Sequence, residues 1–227
     1  MAPRSSRNSI QDYLVSGEKL AVFIDGQSLY QSSRALAFEI DYSKVLAEFE
    51  KASLLRAYYF VAMLETEDYS PLKPLTDWLS YNGYSVVTKP AREYNDGNGH
   101  RRVKGSVAVE IAVEMMEMAP HVDHIILFSG DSELKHAVEA VKRRGTKITA
   151  FSTMHAGPQS ISDDLRRSVD GFVELSQVMR PIQRRPPPAS QRVPEDNFQD
   201  PEIDSPTPQF SATSGSNKPL SPIRMGD

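Results

Sequence analysis

Short apolar segments alternate with helical patterns between residues 18 and 178, and this alternation constrains the fold more than any other feature. Six segments rich in aliphatic, β-branched and aromatic residues predict buried strands, at Leu20–Ile24, Leu54–Val61, Tyr84–Thr88, His124–Phe128, Lys147–Phe151 and Gly171–Leu175. Helical patterns lie between them, at Tyr42–Lys51, Pro71–Asn82, Gly105–Met118, Glu133–Arg144 and Ser162–Val169. Strands that alternate with helices predict an α/β fold, in which helices cover both faces of a mainly parallel central sheet.

Proline content divides the chain into parts. Ten of the sixteen prolines lie beyond residue 179, where the apolar residues are isolated. Such a segment cannot bury enough apolar surface to offset the entropy of ordering it, so residues 179–227 are predicted to form a disordered, proline-rich C-terminal tail. The tail is either inert or a docking segment for a protein partner. Residues 1–17 are predicted to be an N-terminal leader, and residues 18–178 the folded domain.

The amino-acid composition excludes several classes of protein. The chain has no cysteine, which excludes a disulfide framework and a thiolate zinc site. Its first thirty residues contain no signal-peptide-like apolar core, and the run Leu20–Ile24 is too short to span a membrane. A cytoplasmic protein without membrane contact is therefore expected. The net charge of -4 is unlike that of a strongly basic nucleic-acid binder, although a local basic stripe can still bind phosphates.

Two aspartates follow apolar strands of the predicted sheet. Asp25 comes after the first strand and Asp131 after the fourth; each lies next to a glycine and precedes a helix. If these two strands are adjacent, the carboxylates converge at the sheet edge where α/β proteins bind ligands. Converging carboxylates suit Mg²⁺, which prefers oxygen ligands, with Glu133 as a third. The alternative is that each aspartate only caps the helix after it.

The helix predicted from Gly105 carries three glutamates on one face. Glu110, Glu114 and Glu117 are spaced by four and three residues, which is typical of a solvated helix surface. Alternatively, Glu114 faces Asp25 and Asp131 and contributes to a metal site. The methionines Met115, Met116 and Met118 belong either to the core or to a homodimer surface, and their helical spacing favours the core.

A basic segment precedes this helix. Lys104 lies where the helix dipole disfavours a cation, which favours a role in binding phosphate. Arg101 and Arg102 extend the positive charge, and Tyr94 lies in the predicted loop 91–99 before them. Cations beside an aromatic ring suit single-stranded RNA, because phosphates pair with the cations while a base stacks on the ring. An ordinary charged surface loop is the alternative.

Together these residues resemble the NYN domain of the LabA/DUF88 group, a branch of the PIN-like nuclease superfamily. The resemblance covers residues 18–178 and rests on four blocks in order: Val22–Gly26 with Leu29-Tyr30, Val103-Lys104-Gly105 and the helix after it, Leu127–Asp131, and Arg143-Arg144-Gly145. It implies a Rossmann-like, PIN-type three-layer sandwich that cleaves RNA endonucleolytically with Mg²⁺ or Mn²⁺. It also implies metal-binding roles for Asp25 and Asp131, and it matches Lys104 to the family's lysine before the third helix.

Four positions depart from the family pattern. The family usually has asparagine at the position of Ser28, which we place among the RNA-binding residues, and aspartate at the positions of Ala108, Glu114 and Glu133. Alanine cannot bind a metal. The leading hypothesis is a metal-dependent endoribonuclease for single-stranded RNA, with Asp25, Asp131 and Glu133 as catalytic residues and Glu114 as a further ligand. The alternative is a catalytically degenerate domain that binds RNA or a protein partner without cleavage.

Overall fold

Seven strands form one sheet in the computed structural model, which describes residues 9–64, 72–95, 101–155 and 160–184. The side chains at 64, 92–95 and 101–104 lie outside this description. The sheet order is β4-β3-β2-β1-β5-β6-β7. The strands are β1 (Lys19–Asp25), β2 (Ser53–Leu64), β3 (Tyr84–Asn95), β4 (Arg101–Lys104), β5 (His124–Phe128), β6 (Lys147–Ser152) and β7 (Gly171–Glu174).

All strand pairs except one are parallel, and this confirms the predicted α/β class. Only β4 runs antiparallel, against β3. The helices are α1 (Gly26–Ala35), α2 (Tyr42–Glu50), α3 (Lys73–Tyr81), α4 (Ala108–Met118), α5 (Lys135–Arg143), α6 (Asp163–Ser168) and α7 (Leu175–Val178). None of the helices in the described residues is long and apolar enough to cross a membrane.

Two apolar cores separate the sheet from its two helical layers. Because alternate residues of a strand point to opposite faces, Phe23 of β1 packs under α4 and α5, while Val22 and Ile24 pack under α2 and α3. Met115 and Met118 lie in the core between the sheet and helices α4 and α5. The prediction that the methionines belong to the core is therefore confirmed for these two. The arrangement is the predicted three-layer sandwich.

Residues on both sides of the predicted domain also pack onto it. Ile10, in the short 3₁₀ turn Ile10–Tyr13, is fully buried, and Tyr13 contacts Phe151 edge to face. Part of the predicted leader is thus a docked turn. On the other side Ile182 is fully buried, whereas the rest of the predicted tail, from residue 185, lies outside the described residues.

The basic segment differs from the prediction. The predicted loop 91–99 contains the end of β3, which continues to Asn95, and Arg101–Lys104 forms β4 beside it. The pattern failed here because the pairing residues are mostly polar or charged and lack the alternation of a half-buried strand. Helix α4 begins at Ala108 rather than Gly105, since the Ser106 hydroxyl accepts the Ala108 backbone N–H at 3.3 Å and ends the extended segment.

Candidate acidic cavity

The acidic cavity lies where the strand order reverses. The chain leaves β1 toward β2 on one side, while β5 pairs with β1 on the other. Such a topological switch point opens a crevice at the carboxyl ends of the strands. The cavity there has a volume of about 330 Å³. Its walls are rich in small polar side chains: Asp25, Gln27, Ser28, Gln31, Gly105, Ser106, Val107, Gly130, Asp131, Ser132, Ser160 and Ser162.

Strands β1 and β5 end together, which brings Asp25 and Asp131 to the same cavity. Ile24 of β1 pairs with Phe128 of β5, so the residues that follow both strands leave the sheet side by side. The two aspartates therefore converge on one cavity, as expected for residues that follow adjacent parallel strands. What the pair does chemically depends on how each carboxylate is held.

Asp25 is a helix cap as well as a cavity residue. One carboxylate oxygen accepts the backbone N–H of Ser28 at 3.1 Å and caps α1; the other accepts the Ser129 hydroxyl at 3.0 Å. The residue is only 7% exposed. Burial raises the pKa of Asp25 above its ordinary value, the negative charge of Asp131 raises it further, and the two hydrogen bonds oppose the rise.

Asp131 holds a more open position. Its Oδ1 accepts the Glu133 backbone N–H at 2.9 Å and caps the 3₁₀ turn Ser132–Leu134. This turn delays the regular helix, which the sequence places from Glu133, until Lys135. Capping and cavity lining thus coexist in both aspartates, because each carboxylate oxygen can accept more than one hydrogen bond or ligand bond.

Two serine hydroxyls tie the turns after β1 and β5 together. Ser129 Oγ donates to Asp25 and accepts the Asp131 backbone N–H at 3.2 Å. Ser28 Oγ accepts the Gly130 backbone N–H at 3.0 Å. Ser28 is one of the predicted RNA-binding residues, whereas no sequence pattern predicts a role for Ser129. Ser28 does line the cavity, but its hydroxyl also holds the opposite turn in place.

Glycine is required where α1 leaves the sheet. A Cβ on Gly26 would lie 2.6 Å from the hydroxyl of the buried Tyr59, closer than a Cβ atom approaches its neighbours, and 3.0 Å from the Phe60 carbonyl oxygen. Gly130 is similarly crowded, since its Cβ would lie 3.0 Å from the Cα of Ile161. Both aspartates therefore stand beside glycines that let neighbouring chains close around the cavity.

The turns after β1 and β5 form two walls of the cavity, and the segment before α4 forms a third. Gly105, Ser106 and Val107 line the cavity, and Ser106 Oγ donates to Glu133 Oε2 at 3.0 Å. Glu133 is exposed and stands at the rim, so it approaches the cavity through this serine. Lys89, which the sequence analysis did not select, holds the wall by donating to the Ser106 carbonyl oxygen at 2.7 Å.

Ala108 points into the protein. It is 5% exposed and belongs to the core under α4, and it does not line the cavity. The residue of this segment that presents a polar side chain to the cavity is Ser106. A carboxylate added at Ala108 would be buried among apolar neighbours, whereas one added at Ser106 would face Asp25 and Asp131.

The glutamates of α4 face sheet residues outside the cavity. Burial raises the pKa of the Tyr58 hydroxyl above its ordinary value, and the negative charge of Glu114 raises it further. Glu110 pairs with Lys89 at 3.0 Å. Neither glutamate lines the cavity, so the proposed role of Glu114 as a direct ligand has no geometric support in this arrangement.

The side chains of the cavity fit a metal site with two carboxylate ligands, but not one in which protein side chains surround the ion. Within the described residues no group of three or more acidic, histidine or cysteine side chains is placed to hold an ion. A cage of protein ligands is thus absent from this part of the chain. Two converging carboxylates do fit Mg²⁺ or Mn²⁺, which keeps several waters and takes substrate phosphate oxygens as further ligands.

Apart from Ser28, the predicted RNA-binding residues lie on the β3–β4 hairpin. Tyr94 pairs with Arg102, and Lys104 ends β4 immediately before the cavity-lining Gly105. The side chains of Tyr94, Arg101, Arg102 and Lys104 lie outside the described residues. The backbone position of Lys104, next to a cavity-lining residue, is compatible with the phosphate-binding role that the sequence predicts.

A mainly parallel α/β sheet with an acidic cavity at its switch point defines a Rossmann-like domain. The sequence model of the NYN domain matches residues 19–176, and the chain therefore belongs to the NYN domain family.

Known proteins agree with this assignment. The chain is 29% identical over 177 residues to the low amplitude and bright protein LabA of Synechococcus elongatus, covering 75% of this chain and 91% of LabA. It also resembles the crystal structure of a protein of unknown function from Vibrio parahaemolyticus, with a TM-score of 0.57 and 24% identity, covering 75% of this chain and 99% of that one. The structural likeness concerns the fold alone.

Proposed function

We propose that the protein is a metal-dependent endoribonuclease that acts on single-stranded RNA. The observation that carries the proposal is that Asp25 and Asp131 leave adjacent strands and line one cavity at the switch point of the sheet. Membership of the NYN family points to a nuclease-type, RNA-related function. A cytoplasmic location, as expected from the sequence, accompanies this proposal.

Asp25 and Asp131 would hold Mg²⁺ or Mn²⁺, with Glu133 reaching the site from the rim. The ion, when bound, supplies charge stabilisation at the scissile phosphate and lowers the pKa of water. Asp25 must be ionised for this role, and the hydrogen bonds from Ser28 and Ser129 favour its ionised form against burial. Lys104, Arg101 and Arg102 would hold the RNA backbone beside the cavity.

One observation favours a second candidate, a domain that binds RNA without cutting it. The described residues provide only two carboxylates in the cavity, Asp25 and Asp131. Removing one charged ligand from a metal site weakens charge stabilisation of the transition state more than it weakens binding of the RNA. A binding domain can therefore persist where catalysis is lost.

Cleavage of end-labelled single-stranded RNA separates the two candidates. We would incubate the protein with Mn²⁺ or Mg²⁺ beside Asp25→Asn, which keeps the shape and the capping oxygen but removes the charge. Asp77→Asn, an exposed aspartate on α3, serves as the matched control. The endonuclease proposal expects cleavage by the parent and by Asp77→Asn, and none by Asp25→Asn. RNA binding without cleavage in all three supports the binding domain, and equal cleavage in all three contradicts a role for Asp25.

A further inference from the structure

A second groove, on the side of the molecule formed by α1, α3 and the start of α2, presents aromatic rings to solvent. Its volume is about 800 Å³. Tyr30 of α1 is 60% exposed and Trp78 of α3 is 39% exposed, and both line it. Exposed aromatic rings within one concavity mark a binding surface more often than scattered apolar side chains do.

The charged side chains that line this groove balance, with two cations and two anions, but the one without an ion pair among the described residues is a cation. Glu39 pairs with Arg184 at 3.8 Å, and Asp41 pairs with Lys44 at 3.3 Å while capping α2. Arg34 is exposed, lines the groove and forms no ion pair with any residue that the structure describes. A cation beside two exposed rings is the combination that binds single-stranded nucleic acid, since bases stack on the rings and a phosphate pairs with the cation.

Helix α1 connects this groove with the acidic cavity. Gln27 and Gln31 line the cavity, whereas Tyr30 and Arg34 line the groove. Spacings of three and four residues place all four side chains on neighbouring parts of one helix surface. From Gln27 to Arg34 the helix rises about 10 Å at 1.5 Å per residue, which is about three stacked nucleotides at 3.4 Å each.

We propose that single-stranded RNA enters the acidic cavity across α1, with bases stacked on Tyr30 and Trp78 and a phosphate at Arg34. This inference rests on the proposed function, because it assigns the approach path of that substrate. It assigns the aromatic contacts to the side of the cavity that α1 forms.

The chain contains one tryptophan, so its fluorescence reports directly on this groove. We would titrate a short uridine oligonucleotide into the Asp25→Asn variant, which is chosen because it should not cleave. Stacking is expected to quench Trp78 to saturation, at the same concentrations that raise the anisotropy of the labelled oligonucleotide. Tyr30→Ala and Trp78→Ala, read by anisotropy, should each bind about ten-fold more weakly.

Tyr81→Ala is the matched control, because Tyr81 is exposed on α3 but does not line the groove. Its affinity should equal that of the parent. RNA binding without quenching, and with unchanged affinity in Tyr30→Ala and Trp78→Ala, overturns the path while leaving the proposed function standing. Absence of RNA binding in every protein overturns both. Quenching by a proline-rich peptide but not by RNA would make the groove a protein-docking site and overturn the inference.

Discussion

The Ser129 hydroxyl donates to Asp25 Oδ2 at 3.0 Å across the junction of β1 and β5. The same oxygen accepts the backbone N–H of Asp131 at 3.2 Å. One small side chain therefore sets the relative position of the two aspartates and stabilises the ionised form of the buried one. We therefore expect Ser129 to act as a positioning residue for the acidic pair.

Replacing Ser129 by alanine should damage the site in two ways. The pKa of Asp25 should move further above its ordinary value, because a hydrogen bond to its ionised form is lost. The acid limb of any pH–activity profile should shift to higher pH, and the free energy of unfolding should fall by about 1–3 kcal/mol. Ser80→Ala, at an exposed position on α3, should change neither quantity. An unchanged pH profile in Ser129→Ala would remove Ser129 from the mechanism.

A carboxylate added at Ser106 should strengthen a cation site, whereas one added at Ala108 should not. Ser106→Asp keeps an oxygen that can accept the Ala108 N–H and adds charge to the cavity, so the rise in melting temperature caused by Mn²⁺ should grow. Ser106→Asn is the uncharged control. Ala108→Asp buries a carboxylate and should lower the free energy of unfolding by about 1–3 kcal/mol or more. A gain of metal response at 108 but not at 106 would show that our placement of the cavity wall is wrong.

The ionised Asp25 carboxylate should lower the stability of the folded protein at neutral pH. Its pKa is raised in the folded protein, so the folded state binds its proton more tightly than the unfolded chain does. The stability associated with that proton is present below the unfolded pKa and is lost as pH rises through the folded pKa. Asp25→Asn should therefore melt a few degrees higher than the parent at pH 7 without metal. A lower melting temperature would mean that the ionised carboxylate is stabilising on balance.

His124 predicts a second pH effect, at the opposite edge of the sheet. It is fully buried, its Nε2 lies 2.8 Å from Thr149 Oγ1, and its Nδ1 lies 3.3 Å from Glu18. Burial, and then the charge of Lys147, lowers the pKa of His124 to about 4.

The unfolded chain takes up the histidine proton near pH 6.5, before the folded protein does. Stability from neutral His124 is thus complete above pH 6.5 and lost as pH falls toward 4, by about 3 kcal/mol. Urea unfolding at several pH values should show this slope. His124→Gln should flatten it, while the exposed His136→Gln should not. An equal slope in His124→Gln would assign the effect to other groups.

The fold was predictable because its signals are local. Compact apolar runs such as Leu20–Ile24 and His124–Phe128 predict buried strands without information from the rest of the chain. Strand β4 was missed because Arg101–Lys104 carries charge where a half-buried strand would alternate. The two aspartates were found because each follows an apolar strand, a pattern contained within a few residues.

The rest of the site depends on contacts between distant segments. No local sequence pattern predicts the hydrogen bond from Ser129 Oγ to Asp25, or the one from Lys89 to the Ser106 carbonyl oxygen. The orientation of α4 decides that Glu114 meets Tyr58 and that Ala108 enters the core. Helical spacing gives the face that residues share, but packing alone decides what that face meets.

Isothermal titration calorimetry with Mn²⁺ is the sharpest test of the proposed cation site, because it requires no RNA and no turnover. If Asp25 and Asp131 together form the cation site, the parent and Asp77→Asn should bind Mn²⁺, and Asp25→Asn and Asp131→Asn should each bind at least about ten-fold more weakly. If both of these variants bind Mn²⁺ as the parent does, or if the parent binds none, the two aspartates do not form a metal site and the account is contradicted.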